Sequence, residues 1–175
     1  MNTSKRSHIT AGHVAALYFL GYLDDLETVT IVPDVDDIEK GACVLRPETR
    51  LLSQHRFELW RGANASDYRR MLEHSIIFWL SGRASEARFL NTDVENVTWC
   101  GADISEVEEY IGHYSDELGV DPTDILLNEF NQQAIALFEP SPLWSFVESV
   151  AQSLVKKRSL TGNEVRTIAK QIFRT

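Results

Sequence analysis

Long hydrophobic runs are absent from this chain of 175 residues. A helix that spans a bilayer needs roughly 18 to 20 consecutive apolar residues, whereas the longest apolar run covers only residues 14–20. Lys5 and Arg6 give the N-terminus two positive charges, but neither a long apolar segment nor a small-residue cleavage site follows them. The sequence therefore predicts neither a transmembrane helix nor a secretory leader.

Positive charge is also scarce. Seventeen Lys and Arg residues stand against 26 Asp and Glu residues, which gives a formal net charge of −9. A protein that follows a phosphate backbone is basic along its contact surface, and a strongly negative chain is repelled at long range. We therefore expect no nucleic-acid partner and no binding to anionic membranes.

Cysteine is rare as well, since the chain contains only Cys43 and Cys100. Two thiols without C-x-x-C spacing are too few for a disulfide scaffold and do not form a redox motif. We expect both to be reduced and to behave as small apolar groups in a soluble, cytoplasmic protein.

The residues that are abundant suit a folded domain, because 43% are hydrophobic and 25% are charged. This composition and length predict one domain over residues 1–175, with residues 1–7 as a flexible N-terminus. Helical periodicity dominates, so we predict a mainly α (α+β) fold. Residues 27–32 and 41–45 are rich in β-formers and are predicted to pair as a two-stranded element across the acidic loop 34–40.

Apolar residues at helical spacing predict six helices, and residues 84–89 are predicted to form a further turn or two after the second. Gly82 is predicted to end the second helix, and Thr161 to precede the last. The predicted segments are residues 13–23, 65–80, 105–112, 123–138 and 143–157, and a final helix after Thr161.

One short segment carries the most functional information. The sequence Ile9-Thr10-Ala11-Gly12-His13 resembles the active-site helix of the FtsH-type ATP-dependent zinc peptidases, whose motif is H-E-A-G-H. In such a motif two histidines at i and i+4 lie on one helix face and bind zinc, and the glutamate is the general base.

Three further segments resemble the same family in the same order. They are Ser81-Gly82-Arg83-Ala84-Ser85-Glu86, Gly101-Ala102-Asp103 and Leu160-Thr161-Gly162-Asn163-Glu164-Val165. The resemblance covers residues 8–172 and implies the fold of the peptidase domain alone, as a small free-standing relative. The membrane segment and ATPase module that precede this domain in the family are not found in the 175 residues.

The resemblance fails at the positions that perform the chemistry. Ile9 stands where the family has its first histidine ligand, and Thr10 stands where it has the glutamate. His13 and Asp103 match two remaining ligands, but a catalytic zinc usually has three protein ligands and a water. A threonine hydroxyl does not act as a general base near neutral pH. The matching positions therefore imply the peptidase fold without its hydrolytic centre.

His8 is the nearest residue to replace the missing ligand. It stands five residues before His13, about 140° around a regular helix, so it can join His13 on one ion only if the backbone before Ile9 is not helical. A rearranged zinc site would then use His8, His13 and Asp103 with Glu86 or Glu106.

Three functions follow from this reading. We expect a non-catalytic, peptidase-like module, with no metal or other cofactor, that binds a protein or peptide in the degenerate cleft. The alternative is an active zinc peptidase with the rearranged site. The third is an assembly subunit without a cleft function, favoured if Ile9 is packed among apolar side chains. In the plainest interpretation, His13 is a core histidine, Asp103 caps the helix at 105–112, and Glu86 pairs with Arg83.

Overall fold

The computed structural model describes residues 3–32, 42–46, 49, 65–97, 101–119, 124–139 and 141–174. Within this part of the chain the protein is mostly helical with a small antiparallel sheet, which confirms the predicted fold class. The elements are α1 (Thr3–Phe19), β1 (Leu26–Thr30), β2 (Ala42–Leu45), α2 (Ala65–Leu90), α3 (Gly101–Leu118), α4 (Asp124–Ala136), α5 (Ser141–Lys157), β3 (Ser159–Thr161) and α6 (Gly162–Ile172).

The sheet contains the predicted hairpin and one additional strand. β1 pairs with β2 in antiparallel register, with Val29 opposite Cys43, so the predicted pairing is confirmed. β1 also pairs with β3, with Val29 opposite Leu160, and the strand order is β2-β1-β3. Val29 and Leu160 are both buried, and they attach the sheet to the helical core. The acidic loop 34–40 lies outside the described residues.

Helix α1 begins at Thr3, ten residues before the predicted start, so residues 3–7 are helical rather than a flexible arm. Tertiary contacts account for the difference. Ser7 is fully buried, and the Nζ atom of Lys5 lies 2.6 Å from a carboxylate oxygen of Glu86 on α2. The helix ends at Phe19, and Gly21 follows with φ of +83°, a conformation that glycine adopts without a steric penalty.

Helix α2 continues through Gly82, which was predicted to end it, and finishes at Leu90. A glycine inside a helix costs about 1 kcal/mol relative to alanine, and packing against neighbouring helices readily exceeds that amount. The helix ends instead before Asn91, which has φ of +51°. Asparagine is one of the few residues other than glycine that tolerate this conformation.

One buried cluster joins the elements. Helix α1 packs mainly against α2 and α5, while α2 also packs against α3 and α4. The cluster takes residues from all six helices and from β1 and β3, and its largest fully buried side chains include Leu17, Phe78, Tyr110, Phe138, Phe146 and Leu154. Among the helices of the described residues, none combines the length and the apolar character that a membrane crossing needs.

The C-terminal unit is held by its own local signals. Thr161 accepts a hydrogen bond from the backbone N–H of Glu164, and the Glu164 carboxylate accepts one from the backbone N–H of Thr161. This capping box fixes the start of α6. Gly162 follows at a point where an added Cβ would lie 2.9 Å from the carbonyl carbon of Leu26 and closer still to its oxygen. The unit therefore requires glycine for its close approach to β1.

Candidate functional site

The first two motif segments meet where α1 crosses α2. A Cβ added to Gly12 would lie 2.5 Å from the Cβ of Ser85 and 2.6 Å from the carbonyl oxygen of Ser81. The hydroxyl of Ser85 also donates a 2.8 Å hydrogen bond to the carbonyl oxygen of His8. The two backbones can approach this closely only because the residues at the crossing are small.

His13 occupies a notch in α2 at the same crossing. A Cβ on Gly82 would lie 2.8 and 3.0 Å from the Cδ2 and Cε1 atoms of His13 and closer still to Nε2. The imidazole stacks on Phe78 with ring centroids 4.8 Å apart, and Trp79 meets its edge at 5.8 Å. Only 7% of His13 is exposed. Its ring is therefore a packed core group whose Nε2 edge faces the backbone of α2.

Ile9 and Thr10, which stand where the motif that this segment resembles has a ligand and a base, are also buried. Their exposed fractions are 7% and 1%. The Thr10 hydroxyl oxygen is buried and makes no hydrogen bond to any of the described residues. A buried hydroxyl in this position has no route to a reacting water, and it lacks the basicity for proton abstraction near neutral pH.

His8 does not join His13. Helix α1 is continuous through both residues, so the non-helical backbone that a shared ion requires is not present. The Nδ1–H of His8 donates to the carbonyl oxygen of Ser4 at 2.7 Å, and its ring stacks on Phe89 at 3.8 Å. Phe89 and the Phe78 that contacts His13 are separated on α2 by roughly 16 Å. Zinc binds imidazole nitrogens at about 2.0–2.1 Å, so one ion cannot reach both rings.

The remaining candidate ligands take part in local structure. Asp103 is buried in the first turn of α3, where its charge suits the N-terminal end of the helix dipole. It is not the predicted cap of a helix at 105–112, because that helix begins earlier, at Gly101. Glu86 forms an ion pair with Lys5, and its charge also acts on Arg83, whose pKa is lowered by burial and raised to a smaller extent by Glu86. Glu106 is half-buried on α3. Among the described residues, no three His, Cys, Asp or Glu side chains form a group that could hold a metal ion.

Cys43 is not a candidate nucleophile either. Desolvation raises the pKa of its thiol to about 12, so almost no thiolate is present at neutral pH. Cys100 lies outside the described residues.

Two cavities that the sequence did not indicate lie on another side of α1. The first, which we call the apolar groove, has a volume of about 500 Å³ and is lined by Tyr18, Phe19, Ile77, Gln133, Ala136, Leu137, Pro142, Leu143 and Phe173. The second, which we call the cationic cleft, has a volume of about 550 Å³ and is lined by Tyr18, Gly21, Leu23, Asp24, Arg166, Ala169, Lys170 and Phe173.

An aromatic pair belongs to both cavities. The rings of Tyr18 and Phe173 stack at 4.1 Å with an interplanar angle of 11°. Phe19, next to this pair in the apolar groove, is 61% exposed. One faint signal for this region is the i, i+4 spacing of Arg166 and Lys170 on the last helix. No pattern in the sequence places that helix beside the end of α1.

Comparison with the known protein families and with the curated proteins finds no match to this chain. The likeness to the FtsH-type peptidases therefore stays a prediction from the motifs.

Proposed function

We propose that this protein is a non-catalytic relative of the FtsH-type peptidases, and that it acts by binding a protein rather than by hydrolysing one. The observation that supports the first part is the position of His13, whose ring fills the notch over Gly82 between Phe78 and Trp79. The imidazole is used for packing between α1 and α2.

The neighbouring positions support the same proposal. Peptide hydrolysis by zinc needs a metal with an open coordination position and a base beside the bound water. Ile9 supplies no ligand, Thr10 supplies no base, and both are buried against the helical core. His8, the one nearby substitute, contacts a different part of α2. Ile9, Thr10 and His13 are buried at the positions where we expected the cleft, so the proposal places the partner elsewhere on the surface.

The binding surface of the proposal is therefore the apolar groove. Its lining residues are all uncharged, and it is bordered by the exposed ring of Phe19. Apolar surface of this kind is costly to leave in water, and contiguous exposed apolar patches mark interaction sites. The volume of about 500 Å³ lies within the range of about 300–1,000 Å³ that is common for binding pockets.

Metal content and hydrolysis test the loss of catalysis. The full chain is purified from zinc-supplemented cells, its zinc is measured, and it is incubated with unfolded casein with and without a chelator. We expect no stoichiometric zinc and no chelator-sensitive cleavage. His113→Ala is the matched control for His13→Ala. About one tightly held zinc per chain that is lost in His13→Ala but kept in His113→Ala would overturn the proposal.

A further inference from the structure

The apolar groove and the cationic cleft lie next to each other. They share Tyr18 and Phe173, whose stacked rings stand between an uncharged side and a side that carries two cations. The cations, Arg166 and Lys170, lie one turn apart on α6. A single elongated ligand that crosses the aromatic pair would contact both sides.

Within the described part of the chain, the guanidinium group of Arg166 is hydrogen-bonded to neutral groups. One of its guanidinium nitrogens, Nη1, lies 3.2 to 3.4 Å from the backbone carbonyl oxygens of Leu23, Asp24 and Leu26, and Nη2 donates to the amide oxygen of Asn163 at 2.7 Å. These contacts hold the guanidinium in place, but none of them neutralises its positive charge. The structure thus fixes a cation at the wall of the cleft.

Lys170 adds a second positive charge. Its side chain is exposed, and no ion pair joins it to a described residue. Among the described residues that line the cleft, the single carboxylate belongs to Asp24. The lining therefore has a net positive charge in a chain whose overall formal charge is −9, and this local reversal of sign is complementary to an anion.

We propose that the groove and the cleft together bind a protein segment in which a large apolar side chain stands close to a carboxylate. The apolar side chain enters the groove beside Phe19, and the carboxylate lies toward Arg166 and Lys170. This inference rests on the proposed protein-binding function and adds the chemistry of the partner. An amphipathic segment that lays apolar side chains into a groove is a common mode of peptide recognition.

A selection from a library of random displayed peptides tests the composition of the partner. The immobilised full chain is the bait, and Phe19→Ala and Lys170→Glu are parallel baits. The matched controls are Val155→Ala, which removes another exposed apolar side chain, and Lys156→Glu, which reverses another exposed lysine. All five proteins are checked for equal unfolding temperature. We expect wild type and controls to enrich peptides with an aromatic or aliphatic residue next to Asp or Glu.

Binding of one enriched peptide, measured by fluorescence anisotropy, then tests the apolar groove and the cationic cleft separately. Truncation of an anchor side chain in an interface commonly weakens binding by about fivefold or more, and we expect this for Phe19→Ala. We expect Lys170→Glu to weaken it by about threefold, the scale of an exposed ion pair. A peptide with its acidic residues changed to lysine should show the reverse preference and bind Lys170→Glu more tightly than wild type.

The outcomes separate this inference from the proposed function. Enriched peptides that need Phe19 but show no preference for acidic residues would overturn the inference and leave protein binding intact. If no peptide is enriched, or if all enriched peptides bind Phe19→Ala and Val155→Ala alike, both the inference and the binding half of the proposed function fail. Dodecanoate, which carries a carboxylate on an apolar chain, is tested in parallel. If it binds the wild type while no peptide is enriched, the surface binds a small amphiphile, and the inference is overturned.

Discussion

The substitution Gly82→Ala tests the contact on which the interpretation of His13 depends. The new Cβ would lie 2.8 and 3.0 Å from two ring carbons of His13 and closer still to its Nε2. The ring is held by Phe78 and Trp79 and has little free space. An extra methyl group in such a packed site typically costs about 1–3 kcal/mol.

The helix propensity of alanine acts in the opposite direction. Replacing a helical glycine by alanine gains about 1 kcal/mol. Because contacts this short place the packing cost in the upper part of its range, at about 2–3 kcal/mol, the net loss at position 82 should be about 1–2 kcal/mol. In a chain of this size such a loss lowers the unfolding temperature by roughly 2 to 8 °C. Gly112→Ala is the matched control, because it lies inside α3 with no atom within 4 Å of the added Cβ. It should raise the unfolding temperature.

A double-mutant cycle with His13→Ala completes the test. Once the imidazole is removed, the methyl group at position 82 meets open space, and Gly82→Ala should become stabilising. The coupling free energy, measured by urea unfolding followed by circular dichroism, should fall between roughly 1.5 and 3 kcal/mol. If Gly82→Ala and Gly112→Ala stabilise the wild type equally, His13 is not packed against α2, and the argument against a zinc ligand at this position fails.

Two further predictions concern the start of α6. Gly162→Ala should lower the unfolding temperature more than Gly82→Ala does, because its Cβ would press on the backbone carbonyl of Leu26 rather than on a side chain; an equal or smaller decrease would contradict this. Glu164 has its pKa lowered to about 2, first by the ammonium group of Lys157 and then by the backbone and hydroxyl of Thr161. Its contribution to stability is present above the unfolded pKa of 4.5 and is lost as the pH falls toward 2. The stability difference between wild type and Glu164→Gln should therefore decrease from pH 6 to pH 2 in urea unfolding. A constant difference would show that Lys157 and Thr161 do not stabilise the Glu164 carboxylate.

Local patterns predicted the elements whose signals lie close together in the sequence. The alternating Val and Thr residues of β1, with the short apolar run of β2, were enough to predict the hairpin. Thr161 and Glu164 stand three residues apart before an apolar stripe, which is the pattern of a capping box. In both cases the deciding interactions join near neighbours along the chain, so the sequence itself contains them.

Elements that depend on distant partners were not predictable. Residues 3–7 carry no helical pattern of their own, and the contact of Lys5 with Glu86 spans most of the first half of the chain. Glycine often ends a helix, but Gly82 lies inside α2. The ring of His13, on another helix, leaves no room there for a side chain. The strand β3 forms only because β1 offers it an edge. The groove and cleft were missed for the same reason, since their walls come from elements far apart in sequence.

The motif positions divide into two physical classes. Gly12 and His13 on α1 meet Ser81, Gly82 and Ser85 on α2, so the first two segments that resemble the peptidase family are the two sides of one helix crossing. Thr161, Gly162 and Glu164 likewise form a local cap and a close approach to β1. Each of these residues is required by packing or capping, whether or not a metal is bound.

In the family that these segments resemble, the positions that serve only catalysis are the ones at which this chain differs. Any packing role of the first ligand and the general base can be filled equally well by Ile9 and Thr10. Both of these residues are buried here. Because the crossing requires a small residue opposite His13, a match at His13 and Gly82 carries information about how two helices pack and none about zinc. A likeness confined to such positions can therefore support a shared fold, and a hydrolytic activity would need evidence from the residues that the likeness omits.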